Sequence, residues 1–308
     1  MLKPRALKPG DRLAIVAPAS PFKREDFDNG VDELRRLGFE PVYDDTVFAR
    51  RGYVAGPPEL RAAAINQAWR DPSIAGIIAV RGGYGSAQLL PLLDAEAARH
   101  SRKLFVGYSD LTSILAFVTL RCGLVSFHGP MLEGRLSRGE AGYDRASFEK
   151  AVCRAEPLGE LAPAGLEVLR PGEAHGMLLG GTITQLLASL GTPYAFDPPP
   201  GYVLFFEEVG ERPYRLDRMV LQLRQANLLA RASAIVISDL KDCVEPAGGI
   251  PTARDVMADV FADFPGPVIF NFPSGHTARP AITLPLGVRC RVVASSVPRL
   301  IIEEAAVE

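Results

Sequence analysis

Up to about residue 121 the chain alternates short apolar runs with amphipathic stretches, and no other feature constrains the fold so strongly. Residues 13–17, 74–80 and 104–108 are apolar runs of strand length, and 40–43 reads as a further short strand. The run at 74–80 is apolar throughout, as expected of a parallel strand covered on both faces. Between the runs lie helical patterns. Residues 26–37 carry Val31, Leu34 and Leu37 at helical spacing and stop at Gly38, a helix-ending residue. Residues 58–69 turn Leu60, Ala63, Ala64 and Ile65 inward, and residues 88–93 form a shorter helical run. After 104–108, Leu111, Ile114, Leu115 and Val118 repeat at helical spacing, with Phe117 and Leu120 widening the stripe to that of a buried helix. Strand and helix in turn predict a doubly wound α/β domain.

Beyond it, residues 126–131 read as a loop and 143–154 as a helix. Scattered prolines and glycines over 156–176 mark a domain boundary. The expected domains are 1–160 and 161–308, the second a mixed α/β domain. In it, strands are expected at 202–206, 234–238, 268–270, 288–293 and 299–302, with helices at 183–190, from Pro213 onward, and at 254–264. The net charge of −2 gives no electrostatic reason to expect nucleic acid or an anionic membrane as partner. No stretch approaches the roughly 20 apolar residues of a membrane span, and the apolar run near the N-terminus is too short for a signal peptide. Cys122, Cys153, Cys243 and Cys290 are scattered, without a C-x-x-C pair. They fit reduced thiols in the cytoplasm better than disulfides or a metal site.

Chemistry gathers at the ends of the apolar runs. Ser109 follows 104–108 and precedes a helix. A serine there is either an N-cap or a nucleophile raised on a strand-to-helix elbow, next to free helix N–H groups that can hold an oxyanion. The usual second glycine of such an elbow is replaced by Leu111. Gly82 and Gly83 follow the third run and suit a tight turn, a phosphate loop or a second oxyanion donor beside the N–H of Asp110. Neither G-x-G-x-x-G nor a Walker pattern is present. A serine needs a base. Of the four histidines, His100 ends a charged helix and His175 lies in the boundary region, whereas His128 and His276 occupy Gly/Pro-flanked loops. Glu207 and Glu208 close an apolar strand, where alternation sends one to the ligand edge of the sheet and the other to solvent. Glu211 suits the start of the following helix.

Several longer pieces carry a resemblance. They are the VAPAS end of the first strand, RGGYGS at 81–86, VGYSDLT at 106–112 and HGPM at 128–131. Further on come LLGGTITQLLASLGTPY at 178–194, LFFEEVGERPYRLDR at 204–218, and Gly275-His276. In this order and spread the chain resembles the LD-carboxypeptidase (muramoyltetrapeptide carboxypeptidase) family. The resemblance implies a Ser-Glu-His triad of Ser109, Glu207 and His276, with an oxyanion hole from the N–H of Asp110 and one from Gly82 or Gly83. It implies an active site between the two domains, no metal or cofactor, and a homodimer. The implied substrate is a murein tetrapeptide, cut between an L-centred diamino acid and terminal D-alanine in cytoplasmic wall recycling. Glu208 stands where the family often has Asp, and Thr182 where it often has Asn. A related branch resembles microcin C self-immunity proteins, which act on peptidyl nucleotides and stack a tryptophan on the base. The only tryptophan here is Trp69, in a predicted helix of the first domain. A non-catalytic small-peptide-binding protein would keep the fold without needing all three triad residues.

Overall fold

A computed structural model of the chain describes residues 1–246 and 249–308. By its contacts the chain divides into two compact units. The first holds Met1–Glu156, Arg279–Gly287 and Ala305–Glu308, and the second Pro157–Ala278 and Val288–Glu304. The contiguous domain expected over 161–308 therefore does not describe the late segments, two of which return to the first unit.

The first unit is built on β1 (Arg12–Val16), β2 (Glu40–Val42), β3 (Ile74–Ala79), β4 (Leu104–Gly107) and β5 (Ser126–His128). These five pair in parallel in the order β5-β4-β3-β1-β2, and β12 (Leu284–Leu286) adds an antiparallel edge on β5. β3 and β4 are buried nearly throughout, which accounts for their unbroken apolar sequence. The helices are α1 (Arg24–Arg36), α2 (Pro58–Arg70), α3 (Ala95–Ser101), α4 (Thr112–Ala116) and α5 (Arg145–Cys153). Phe27, Val31 and Leu34 of α1 are buried, so its core face is the one that the spacing predicts. The helical run expected at 88–93 is instead a 3-10 turn, Ser86–Leu92, because Pro91 has no N–H to continue an α-helix. β1 and β3 are neighbours although α1, β2 and α2 lie between them in sequence, and the strand order reverses there. Loops at the carboxyl ends of strands around such a reversal are where ligands bind in open α/β sheets.

In the second unit β8 (Gly172–Thr182), β9 (Tyr202–Glu207), β10 (Ala232–Ser238) and β11 (Val268–Phe272) form a parallel core. β7 (Glu167–Arg170) pairs antiparallel with β11, β13 (Arg289–Ala294) with β8, and β14 (Arg299–Ala305) with β13. β6 (Pro157–Leu161) completes an eight-stranded sheet beside β14. The helices are α6 (Ile183–Ala188), α7 (Pro213–Gln225) and α8 (Ala253–Val260). Pro213 opens α7, whose Leu216, Met219, Val220 and Leu223 are buried as the pattern predicts. The stretch 156–176 is not an irregular linker, since β6, β7 and the first part of β8 occupy it. Nor is 126–131 all loop, since it opens with β5. Both units are thus α/β, one on a mostly parallel sheet and one on a mixed sheet. Among the described residues no helix is long and apolar enough to cross a membrane. The four cysteines are free, and burial pushes the Cys122 and Cys243 thiols up to about 12 and that of Cys153 up to about 11.

Candidate active site

In the first unit the chain leaves β4 through Tyr108, and Ser109 opens a 3-10 turn, Ser109–Leu111, that runs into α4. Ser109 has φ +63°, in the left-handed region. Holding a non-glycine residue there costs on the order of 1–3 kcal/mol, and such strain gathers at functional sites. An N-cap residue has extended backbone, and this φ is not that of an N-cap. Tyr108 occupies the cap position and makes no side-chain cap hydrogen bond.

Gly82 lies against this elbow. A Cβ on Gly82 would stand 2.8 Å from Ser109 Cβ, 3.0 Å from its Oγ and 3.2 Å from the Asp110 nitrogen. A side chain there would displace the serine, which is why a glycine must follow β3. The turn is tied to the loop after β1, since Ser20 N–H donates to the Gly82 carbonyl at 3.1 Å and Tyr84 N–H donates to Ser20 Oγ at 3.1 Å. Asp110 points away from solvent, 3 % exposed. Its Oδ2 accepts from Ser86 N–H at 2.8 Å, and its carbonyl accepts from Ser86 Oγ at 2.5 Å. Burial pushes the Asp110 carboxyl up, against the opposing hydrogen bonds of Ser86 and the charge of Arg61. His128 is buried in β5, with its ring 6.0 Å from that of Tyr108 in an edge contact.

In the second unit Glu207 is the last residue of β9 and is fully buried. Its Oε2 accepts from the backbone N–H of His276 at 2.9 Å and lies 2.7 Å from His276 Nδ1. Its Oε1 accepts from Thr182 Oγ1, across the β8–β9 ladder where the two residues are direct partners. Thr182 therefore supplies a hydroxyl donor to this carboxylate. A carboxylate only accepts, so Nδ1 of the neutral ring carries the proton and Nε2 is left as the basic atom. The His276 side chain is 21 % exposed. Gly275 turns the chain at φ +73°, and a Cβ there would fall 2.7 Å from the Glu207 carboxyl carbon.

Glu208 departs from expectation. Strand alternation was to send it to solvent, yet it is 5 % exposed. β9 ends at Glu207, so alternation no longer governs the next side chain. Its Oε2 accepts from Thr184 N–H at 3.1 Å and from Thr184 Oγ1 at 2.6 Å, and its Oε1 from Val209 N–H at 3.0 Å. It thus pins the start of α6 to the end of β9. Burial raises its pKa from the ordinary 4.5, and the neighbouring Glu207 adds to the rise. The stability held by a protonated Glu208 is present below 4.5 and is lost as pH climbs through the raised value. Glu208→Gln removes that loss. The melting temperature of the variant minus that of the wild type should therefore rise with pH above 4.5. Parallel melting curves across this window would contradict the assignment.

The other candidates stand apart. His100 is exposed on α3 and His175 is exposed on β8, beside Glu303 at 3.3 Å. Glu211 pairs with Arg215 at 3.1 Å at the start of α7. Trp69 is 2 % exposed within α2, so its ring offers no open face for stacking. Among the described residues no cluster of three or more His, Cys, Asp and Glu side chains is arranged to hold a metal ion.

Comparison with known proteins adds to this geometry. Residues 13–129 match the family described as LD-carboxypeptidase N-terminal domain, and residues 175–292 match the LD-carboxypeptidase C-terminal domain. The protein named "Probable murein peptide carboxypeptidase" of Bacillus subtilis is 32 % identical over 93 % of this chain and 90 % of its own. A crystal structure of muramoyltetrapeptide carboxypeptidase from Oxalobacter formigenes is 29 % identical, with a TM-score of 0.84 over 95 % of this chain and 99 % of that one. The microcin C7 self-immunity protein MccF, in complex with aspartyl sulfamoyl adenosine, shares the fold at a TM-score of 0.88 over the whole of both chains, at 24 % identity. With both family domains matched in order, and a relative of this identity along nearly the full length, the chain belongs to the LD-carboxypeptidase family.

Proposed function

We propose that this chain is a serine LD-carboxypeptidase hydrolysing the amide between an L-centred diamino acid and the terminal D-alanine of a murein tetrapeptide. The observation that carries this reading is the His276 ring held by a buried carboxylate through Nδ1, which leaves Nε2 as a base. It is supported by the strained elbow at Ser109 and by the names of the relatives.

In this mechanism Ser109 Oγ attacks the carbonyl carbon of the diamino acid while His276 Nε2 takes its proton. The N–H groups of Asp110 and of the Gly82–Gly83 turn receive the oxyanion, and Glu207 stabilises the imidazolium. The C–N bond then breaks, His276 protonates the departing D-alanine amine, and the peptide remains as an ester on Ser109. Water, deprotonated by His276, attacks the ester. His276 returns its proton to Ser109 Oγ as the ester C–O bond breaks, and the tripeptide leaves as a carboxylic acid that gives its remaining proton to solvent. The reading also takes the site to be cytoplasmic, acting on recycled wall peptides, and the protein to be a homodimer, as the family resemblance implies. The self-immunity reading lacks a comparable support, since the sole tryptophan is buried.

The test is mass spectrometry of tetrapeptides ending in D-alanine, with lysine or diaminopimelate at the third position. The expected result is loss of one D-alanine from at least one of them. A peptide ending in L-alanine should resist. Equal cleavage of both stereoisomers, or cleavage of neither, would refute the reading.

A further inference from the structure

Arg61 stands on α2 and is 3 % exposed. Its guanidinium reaches several loops at once. Nε donates to the Gly56 carbonyl at 3.0 Å. Nη1 donates to the carbonyl of Pro18 at 2.5 Å and to that of Gly85 at 2.9 Å, and Nη2 donates to Gln88 Oε1 at 2.6 Å. Pro18 belongs to the loop after β1, and Gly85 to the turn after β3 that contains Gly82. A Cβ on Gly85 would come within 2.9 Å of Nη1, so the turn is shaped around the cation. Directly beyond Gly85, Ser86 holds Asp110 by its N–H and its hydroxyl.

Those four acceptors are neutral, so no contact carboxylate offsets the desolvation of this guanidinium. Burying a cation on such terms is expensive. Burial lowers the Arg61 pKa, and the charge of Asp110 opposes the change. A leucine or methionine would fill the same space at less cost. What only a guanidinium provides is a planar fork of five donors, able to fix several carbonyls in one geometry.

We propose that Arg61 is a positioning residue for the oxyanion site. It clamps the turn after β3 to the loop after β1, and through Ser86 it fixes the peptide N–H of Asp110 beside the Gly82–Gly83 turn. The role rests on the reading of Ser109 as nucleophile. Arg61 touches no reacting atom.

The test is Arg61→Ala, with Arg61→Lys as a second variant that keeps the charge but not the fork. For Arg61→Ala, kcat for D-alanine release should fall by about 10²–10³, the cost of spoiling one oxyanion donor, with KM within about threefold. Arg61 also lines a cavity of about 190 Å³ between α2 and β1–β2, which gives a small cation a route to the vacated place. Free guanidinium at millimolar concentration should restore at least tenfold of the lost kcat (about 1.4 kcal/mol), and ammonium should not. Arg61→Lys should show the same split if Arg61→Ala does not fold. A kcat within twofold of wild type in a folded variant, a loss borne by KM alone, or absence of guanidinium rescue would overturn the proposal.

Amide hydrogen exchange keeps this separate from the proposed activity. Exchange over 82–88 and 109–112 should quicken in either variant while β3 and β4 stay protected. Unchanged exchange there would overturn the proposal even in a protein that released no D-alanine. A wild-type protein without that activity would refute the function and leave the clamp to be judged by exchange.

Discussion

Ser109→Ala is expected to lower kcat by up to about 10⁶-fold, the loss seen when a triad serine is removed. The fold should be unaffected. Alanine keeps the Cβ, so the strain of a positive φ at this position is unchanged. Ser109→Gly removes the Cβ. It should be just as inactive and yet more stable, by on the order of 1 kcal/mol, because glycine adopts this conformation freely. A capping serine behaves the other way. Its loss to alanine costs about 1 kcal/mol of stability and spares the chemistry. Paired melting curves and turnover rates for the two variants therefore separate the roles. Activity above a tenth of wild type in Ser109→Ala would remove Ser109 from the mechanism.

Glu207→Gln is the second large effect, with an expected loss of about 10⁴-fold in kcat, the scale found when a triad carboxylate becomes an amide. Three donors converge on this carboxylate: the His276 N–H, the ring Nδ1 and the Thr182 hydroxyl. An amide presents one oxygen and one NH₂. If its nitrogen faces the ring, Nδ1 must accept and Nε2 carries the proton, which is the wrong tautomer for a base. Glu208→Gln should be far milder in turnover, because Glu208 bonds Thr184 and Val209 and not His276. Rates for the two variants under identical conditions decide this. Equal losses, or the larger loss at Glu208, would show that the orienting acid is misassigned.

Much of this was legible from residue order. Apolar runs of strand length that stop shortly before Gly82, Ser109 and Glu207 put those residues at or just past the carboxyl ends of β3, β4 and β9. Periodicity found α1 and α7 because each buries one clear face. It failed where a strand is too short to show a period, as in β5, or is interrupted by glycine and proline, as from β6 into β8. The return of residues 279–287 to the first unit depends on pairing between β12 and β5, a long-range contact with no local signature. The same holds for Glu208, whose burial is decided by Thr184 on another element. Arg61 gave no signal either. On a helix rich in alanine it reads as one more polar residue, and only the fold brings Pro18, Gly56 and Gly85 around it. Thr182 stands out in the LLGGT run of the sequence, but its partnership with Glu207 comes from strand register alone.

The central claim is that Ser109 carries the peptide during turnover. Acid quenching of the enzyme with a cleavable tetrapeptide, followed by proteolysis and peptide mass mapping, tests it directly. The account predicts a tripeptidyl ester on the fragment containing Ser109, appearing as D-alanine is released and absent in Ser109→Ala. An acyl group on any other residue, or D-alanine release undiminished in Ser109→Ala, would contradict it.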